Sequence, residues 1–329
     1  MTEDRSPFQK VIAALLDETR DFPPHHLRDF SDIEPASLAL LMQAWPRVQP
    51  ARQQHLLAGL QALSDADSLV SFDDLARSLL TDPQPEVRRA AIRMLGECED
   101  PRLVPAFMDM LAHDEDAGTR AKAAGALGLF VQLGELEEIP AETQREVEQA
   151  LMLKFKSDDK PGIRRAALES LGYSSGTEAP GLIESAFARA DPDWQAAALN
   201  AMGHSCDERW SEQVIPMLLN DDPRIQLAAV KAAGDLELGE ARAILIQLLL
   251  DEEADDGIIA AGIWSLSQIG GEEARVYIEG QLDQTDDEEL VEFLEEALDN
   301  LAFTEDMAGF DLLALDADDE LLSSDEEDE

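Results

Sequence analysis

One stretch of this chain, Glu86-Val-Arg-Arg-Ala-Ala-Ile-Arg-Met-Leu-Gly96, comes back again and again, and its return limits what the chain can fold into. Aligned on the closing glycine, the pattern recurs at Gly128, Gly172, Gly203, Gly234 and Gly270. One residue earlier stand Leu95, Leu127, Leu171, Met202, Ala233 and Ile269. Five earlier stand Ala91, Ala123, Ala167, Ala198, Ala229 and Ser265, and nine earlier Val87, Thr119, Ile163, Trp194, Ile225 and Ala261. Positions four apart share one face of an α-helix, so each copy predicts a helix buried along that face. The small residue at the middle of the face invites another helix close. The glycine is expected to end the helix in a backbone conformation that a Cβ resists.

A repeat of this kind builds an array in which each unit packs on its neighbours, and such an array need not divide into ordinary globular domains. Aromatic residues make up 5% of the chain, while 45% is hydrophobic, largely Ala and Leu, which suits closely paired helices better than a sheet. No apolar run approaches the ~20 residues of a membrane span. Met1-Thr-Glu-Asp-Arg lacks the basic flank and apolar core of a secretory signal. Cys98 and Cys206 offer no disulfide framework, so a reducing, cytoplasmic setting is the expectation.

Charge narrows the partner classes. The chain has 71 acidic and 25 basic residues, a net of -46, and after Arg242 its only base is Arg275. Residues 304–329 hold 12 acids and no base, so the remaining body is still strongly acidic. Such a surface repels phosphate backbones, whose binding needs Lys and Arg. It attracts basic proteins and speeds their encounter. The expected partner is a protein or peptide, preferentially basic, with no role for nucleic acid or membrane.

In chain order, residues 1–33 precede the repeat: a helix carrying Phe8, Val11, Ile12, Leu15 and Leu16 after Ser6-Pro7, then a loop with His25 and His26. Two adjacent histidines do not face one point on a regular element, and the loop is not expected to hold a metal. A first pair of helices at residues 37–45 and 51–63 lacks the Ala and Gly positions and is expected to cap the array. The clear units follow. The third is long, its glycine lying 44 residues after Gly128 where the other spacings are 32, 31, 31 and 36. The last pair, up to Leu298, loses the pattern and presents Glu292, Glu295, Glu296 and Asp299 on an outer face. Residues 304–329 scatter Phe310, Leu312, Leu313, Leu315, Leu321 and Leu322 among aspartates, a composition expected to be disordered.

The pattern Leu79-Leu-x-Asp82-Pro83-x-x-x-Val87-Arg88-x-x-Ala91-x-x-x-Leu95-Gly96 resembles the HEAT repeat, in the subtype found in phycobiliprotein lyases. The likeness is strong over about residues 70–270. It implies an all-α fold, an α-solenoid of about seven antiparallel hairpins spanning 34–303. It also implies a ladder of turn aspartates with arginines six residues on: Asp82 with Arg88, Asp114 with Arg120, Asp158 with Arg164. Asp191-Pro192 and Asp222-Pro223 are followed instead by Gln195 and Gln226, so the ladder is expected in the first half only.

Enzyme readings of such arrays find little support. HEAT-like hydroxylases use His-Glu pairs for iron, and the chain has none among its five histidines. HEAT-like glycosylases use a basic cleft. No His, Cys or Tyr cluster is placed to handle a tetrapyrrole, and His204 with Cys206 is too small a set for zinc. Trp194 fills a slot taken elsewhere by Val87, Ile163 and Ile225, so core packing is expected of it. No catalytic, cofactor or metal residues are predicted and no cofactor is expected. The reading is a non-enzymatic scaffold that holds a protein or peptide in the concave face of the solenoid, along its stacked second helices. Two alternatives stand beside it: a lyase or chaperone-like subunit for a cofactor-bearing protein, and an acidic chaperone that sequesters basic proteins.

Overall fold

The computed structural model describes residues 7–157, 159–251 and 255–324, without the side chains of Pro7 and of residues 307–324. The chain is all-α, an α-solenoid of helical hairpins, and no strand occurs among the described residues. It divides into two compact units, Met1–Leu171 and Gly172–Glu329. The boundary falls at the end of a repeat.

The first unit opens with α1 (Pro7–Leu16) and a short 3₁₀ segment, Pro24–Phe30. Four hairpins follow: α2 (Pro35–Ala44) with α3 (Pro50–Ala66), α4 (Asp73–Leu79) with α5 (Pro85–Met94), α6 (Val104–His113) with α7 (Ala117–Glu135), and α8 (Ala141–Phe155) with α9 (Pro161–Leu171). The second helices pack side by side in the order α3, α5, α7, α9. The second unit repeats the plan. It pairs α10 (Ala179–Phe187) with α11 (Pro192–His204), α12 (Ser211–Val214) with α13 (Pro223–Asp235), α14 (Arg242–Leu249) with α15 (Asp256–Ile269), and α16 (Glu272–Leu282) with α17 (Glu288–Ser324). Here α11, α13, α15 and α17 form the row. Among the described residues there are thus eight hairpins, one more than the sequence suggested.

Helix starts follow from local chemistry. Proline stands at the first position of α2, α3, α5, α9, α11 and α13, where its missing N–H costs no intrahelical bond. Aspartate caps several second helices. The Asp116 carboxylate accepts from the Thr119 amide at 2.7 Å, Asp191 from the Asp193 amide at 3.0 Å, and Asp222 from the Arg224 amide at 3.0 Å. The predicted face is buried in every repeat: Val87, Ala91 and Leu95, or Ile163, Ala167 and Leu171, are at most 2% exposed. Only Ala261, at the start of the last copy, is half-buried.

The repeat glycines behave differently from expectation. Gly128, Gly203 and Gly234 lie inside α7, α11 and α13, and only Gly270 has a positive φ, 68°, at a helix C-cap. The helices run on past them, and the left-handed residues are Glu137, Cys206 and Glu237, at φ 60°, 47° and 50°. What the internal glycines provide is proximity. A Cβ on Gly128 would sit 3.0 Å from the Ser170 Oγ, and one on Gly203 would sit 3.0 Å from the Ala232 Cα. The long third unit has a simple origin, since α7 reaches 19 residues before its turn.

α17 extends to Ser324, past Thr304 where the acidic tail was expected to begin; residues 325–329 lie outside the described residues. Glu292, Glu295, Glu296 and Asp299 are exposed on it, as expected of a terminal face.

Candidate binding surface

The turns between first and second helices of the first unit are tied together by charged side chains. Arg88, in the first turns of α5, grips the Asp114 carboxylate with two N–H groups at 2.8 and 2.7 Å. The same guanidinium donates to the backbone carbonyl of Asp82 at 2.8 Å. One hairpin on, Arg120 donates to both oxygens of Asp159, at 3.1 and 2.9 Å, and to the Asp114 carbonyl at 2.7 Å. Each arginine therefore meets the aspartate of its own turn through the backbone and a carboxylate of the following hairpin through its side chain. Asp82 faces the other way: its carboxylate accepts from the Trp45 indole at 2.8 Å and from the Gln84 amide at 2.8 Å.

This register differs from the pairing by spacing alone. Asp82 and Arg88, or Asp114 and Arg120, do not join carboxylate to guanidinium. Asp158 lies outside the described residues, and the carboxylate at that turn is Asp159, which also takes Lys154 at 3.2 Å. Arg164 donates to the Phe155 carbonyl at 2.8 Å and lies 5.9 Å from the centre of that ring. Bidentate pairing with Arg120 holds the Asp159 carboxyl well below the usual carboxylate range, outweighing its burial. Hydrogen bonding to Asp114 likewise raises the Arg88 guanidinium.

In the second unit glutamine stands at the arginine position. Gln195 and Gln226 donate to the carbonyls of Phe187 and Leu218 at 3.4 and 3.0 Å, keeping the bond to the preceding helix end. The tie between neighbouring second helices is supplied instead by Arg224, which pairs with Asp193 at 2.5 Å and Asp222 at 2.8 Å. That pairing was not legible, because Arg224 lies outside the repeated position. Trp194 is buried as expected, and the Arg189 guanidinium caps its ring at 3.9 Å.

The exposed side of the second helices in the first unit forms an open cavity of about 560 Å³ across α5, α7 and α9. Its floor is made of small residues, among them Gly118, Ala121 and Gly125. A Cβ on Gly118 would lie 3.1 Å from the Arg89 side chain, so glycine there lets Arg89 lie across the start of α7. Arg89 is held by Asp116 at 2.5 Å and Glu86 at 3.1 Å. A second cavity of similar volume lies beside the 3₁₀ segment, and the arginine lining it, Arg52, is already committed to the carbonyls of Ala14 and Arg20.

The remaining reactive groups are quiet. Burial is the main cause that pushes the Cys98 and Cys206 thiols up, away from the thiolate. His26 bonds Asp29 at 2.6 Å, and the His25 and His26 rings lie 4.2 Å apart. Among the described residues no group of three or more His, Cys, Asp or Glu side chains could hold a metal ion.

A family model for HEAT repeats matches residues 72–172 and 179–266, more than half of the chain. The chain belongs to the HEAT-repeat family. No curated relative matches the sequence. Among solved structures the chain is similar to YibA of Escherichia coli, at 15% identity over 84% of this chain and 96% of that one, with a TM-score of 0.41. It is similar to the CpcE–CpcF complex of phycocyanin lyase from Nostoc, at 20% identity over 70% and 94%, with a TM-score of 0.46. It is also similar to importin beta, at 15% identity over 89% of this chain and 41% of that one, with a TM-score of 0.43. The aspartate–arginine ties and the small-residue cavity thus belong to consecutive HEAT units of one array.

Proposed function

We infer that this HEAT-repeat chain is a non-enzymatic scaffold that holds a protein or peptide partner against the exposed side of its second helices. The observation that carries the reading is the open cavity across α5, α7 and α9. The turns around it are fixed by Arg88, Asp114, Arg120 and Asp159, so the surface is rigid before a partner arrives, which lowers the ordering cost of binding. Most side chains on that surface are small or cationic, with Ile92 and Glu169 the exceptions, a lining suited to backbone approach and charge pairing.

The second unit favours basic partners. It carries 41 acidic residues against 6 basic ones, where the first unit carries 30 against 19. A small pocket there, of about 190 Å³, gathers Glu208, Glu237 and Glu240. Opposite charge on a partner would raise the encounter rate more than the final affinity.

The test is capture of the native partner on the full chain and on a version ending at Phe303, washed at roughly 0.3 M salt to screen exposed charge. Hydrogen exchange on the retained complex then locates the contact. The expected result is one stoichiometric partner on both versions, with new protection on second helices. Protection confined to first helices, or a partner lost with residues 304–329, would overturn the reading.

A further inference from the structure

The cavity across α5, α7 and α9 has a charge opposite to that of the chain. Three cationic side chains line it, Arg89, Arg93 and Lys122, against one carboxylate, Glu169. Arg89 is neutralised by Asp116 and Glu86. Arg93 and Lys122 are both exposed, and neither side chain has a hydrogen bond or ion pair among the described residues. In a chain with 71 acids, the nearby bases are mostly taken: Arg77 pairs with Asp100, Arg88 with Asp114 and Arg120 with Asp159. Two free cations on neighbouring helices, at the rim of one apolar-floored cavity, stand out from that pattern.

The floor supplies the second half of the argument. Gly125 is exposed in mid-helix, and a Cβ built there meets nothing within 4 Å. Glycine at such a position costs about 1 kcal/mol of helix stability relative to alanine, with no crowding to explain it. It leaves room for a backbone to lie against α7 between Arg93 and Lys122. We propose that this cavity docks an acidic peptide segment of a partner protein, its carboxylates paired with Arg93 and Lys122 and its backbone over Gly125. The proposal rests on the second-helix reading above and gives the first unit a ligand of opposite sign to that of the second.

The experiment uses the full chain and a short fluorescein-labelled peptide alternating aspartate and alanine, with a lysine–alanine peptide of equal length as control. Anisotropy titrations are run on the wild type, on Arg93→Glu with Lys122→Glu, on Lys231→Glu and on Gly125→Leu. Lys231 is exposed in α13 of the other unit and reports the effect of global charge alone. Gly125→Leu fills the floor without touching the core, so its melting temperature should hold or rise.

The expected result is saturable binding of the aspartate peptide by the wild type and by Lys231→Glu. The double charge variant and Gly125→Leu should each weaken it by about tenfold or more. Preference for the lysine peptide, equal weakening by Lys231→Glu, or unaltered binding by Gly125→Leu would each overturn the proposal. The native-partner capture separates the two readings. A partner retained on second helices by the Arg93→Glu, Lys122→Glu chain sinks the acidic-segment assignment and leaves the scaffold reading standing. Loss of second-helix protection in the wild type sinks both.

Discussion

Gly234 in α13 and Ser265 in α15 are so close that a Cβ on the glycine would lie 2.7 Å from the serine Oγ and 2.8 Å from its Cα. The Ser265 hydroxyl donates to the Val230 carbonyl at 2.8 Å, one turn before Gly234. The same arrangement joins Gly128 to Ser170, whose hydroxyl donates to the Ala124 carbonyl at 2.8 Å. A glycine without a side chain and a serine that bonds the freed backbone together set how closely two second helices stack.

Gly234→Ala is therefore expected to destabilise the chain although alanine is the better helix former. Overpacking against a neighbouring backbone costs about 1–3 kcal/mol, which exceeds the gain of about 1 kcal/mol in helix propensity. Gly125→Ala, with open space around the new methyl, should stabilise by up to about 1 kcal/mol. Urea melts of the two variants decide the matter. Equal effects of the same sign would show that the glycines act through helix propensity and not through packing.

The buried face of each repeat was legible because burial and helical period coincide: Val87, Ala91 and Leu95 announce themselves four residues apart. Helix ends were not. A left-handed backbone usually betrays itself as glycine, but here Glu137, Cys206 and Glu237 take it, while glycines with close neighbours sit a turn earlier. Spacing identified Arg88 and Arg120 but not their partners, because sequence cannot say which turn a long side chain will reach. Spacing pointed to Asp158, which lies outside the described residues, and gave no sign that Arg120 reaches Asp159. The cationic rim was hidden by the net charge, since Arg93 and Lys122 come to line one cavity only once α5 and α7 lie side by side.

The Arg88–Asp114 pair should be worth more than a surface ion pair. The two side chains are 14% and 7% exposed, and the contact is bidentate. Arg88→Ala leaves the Asp114 carboxylate with the Asp116 backbone amide but no cation, and frees the carbonyls of Asp82 and Pro83, with an expected loss of about 3–5 kcal/mol. Arg88→Lys keeps the charge but not the fork, and should recover only part of it. A double-mutant cycle with Asp114→Asn should give a coupling on the order of 1–3 kcal/mol. A coupling near zero would mean that the pair is incidental to the stack.

Asp159 gives the first unit a defined acid sensitivity. Its folded pKa lies well below the unfolded value of about 3.9, first because of Arg120. The wild type therefore holds this contribution fully above about pH 4 and loses it as pH falls through the depressed value. Asp159→Asn has no such charge to lose. It should be less stable at pH 7, by about 1–3 kcal/mol, and the gap to wild type should close toward pH 2. Melting curves across that range test it, and a gap that stays constant would remove Asp159 from the acid response.

The Trp45–Asp82 hydrogen bond links the first hairpin to the first clear repeat. Asp82 is 7% exposed and has two donors, the Trp45 indole and the Gln84 amide. Trp45→Phe keeps most of the buried ring and removes only the indole N–H, leaving a buried carboxylate short of a partner. The expected cost is about 1–3 kcal/mol, above what the loss of ring area alone would give. In an Asp82→Asn background the same substitution should cost less, because the neutral amide carries a smaller desolvation penalty than the carboxylate. If Trp45→Phe costs the same in both backgrounds, the indole acts through its bulk, and the polar tie between the first hairpin and the next is left to Gln84, which donates to Gln53 at 2.5 Å.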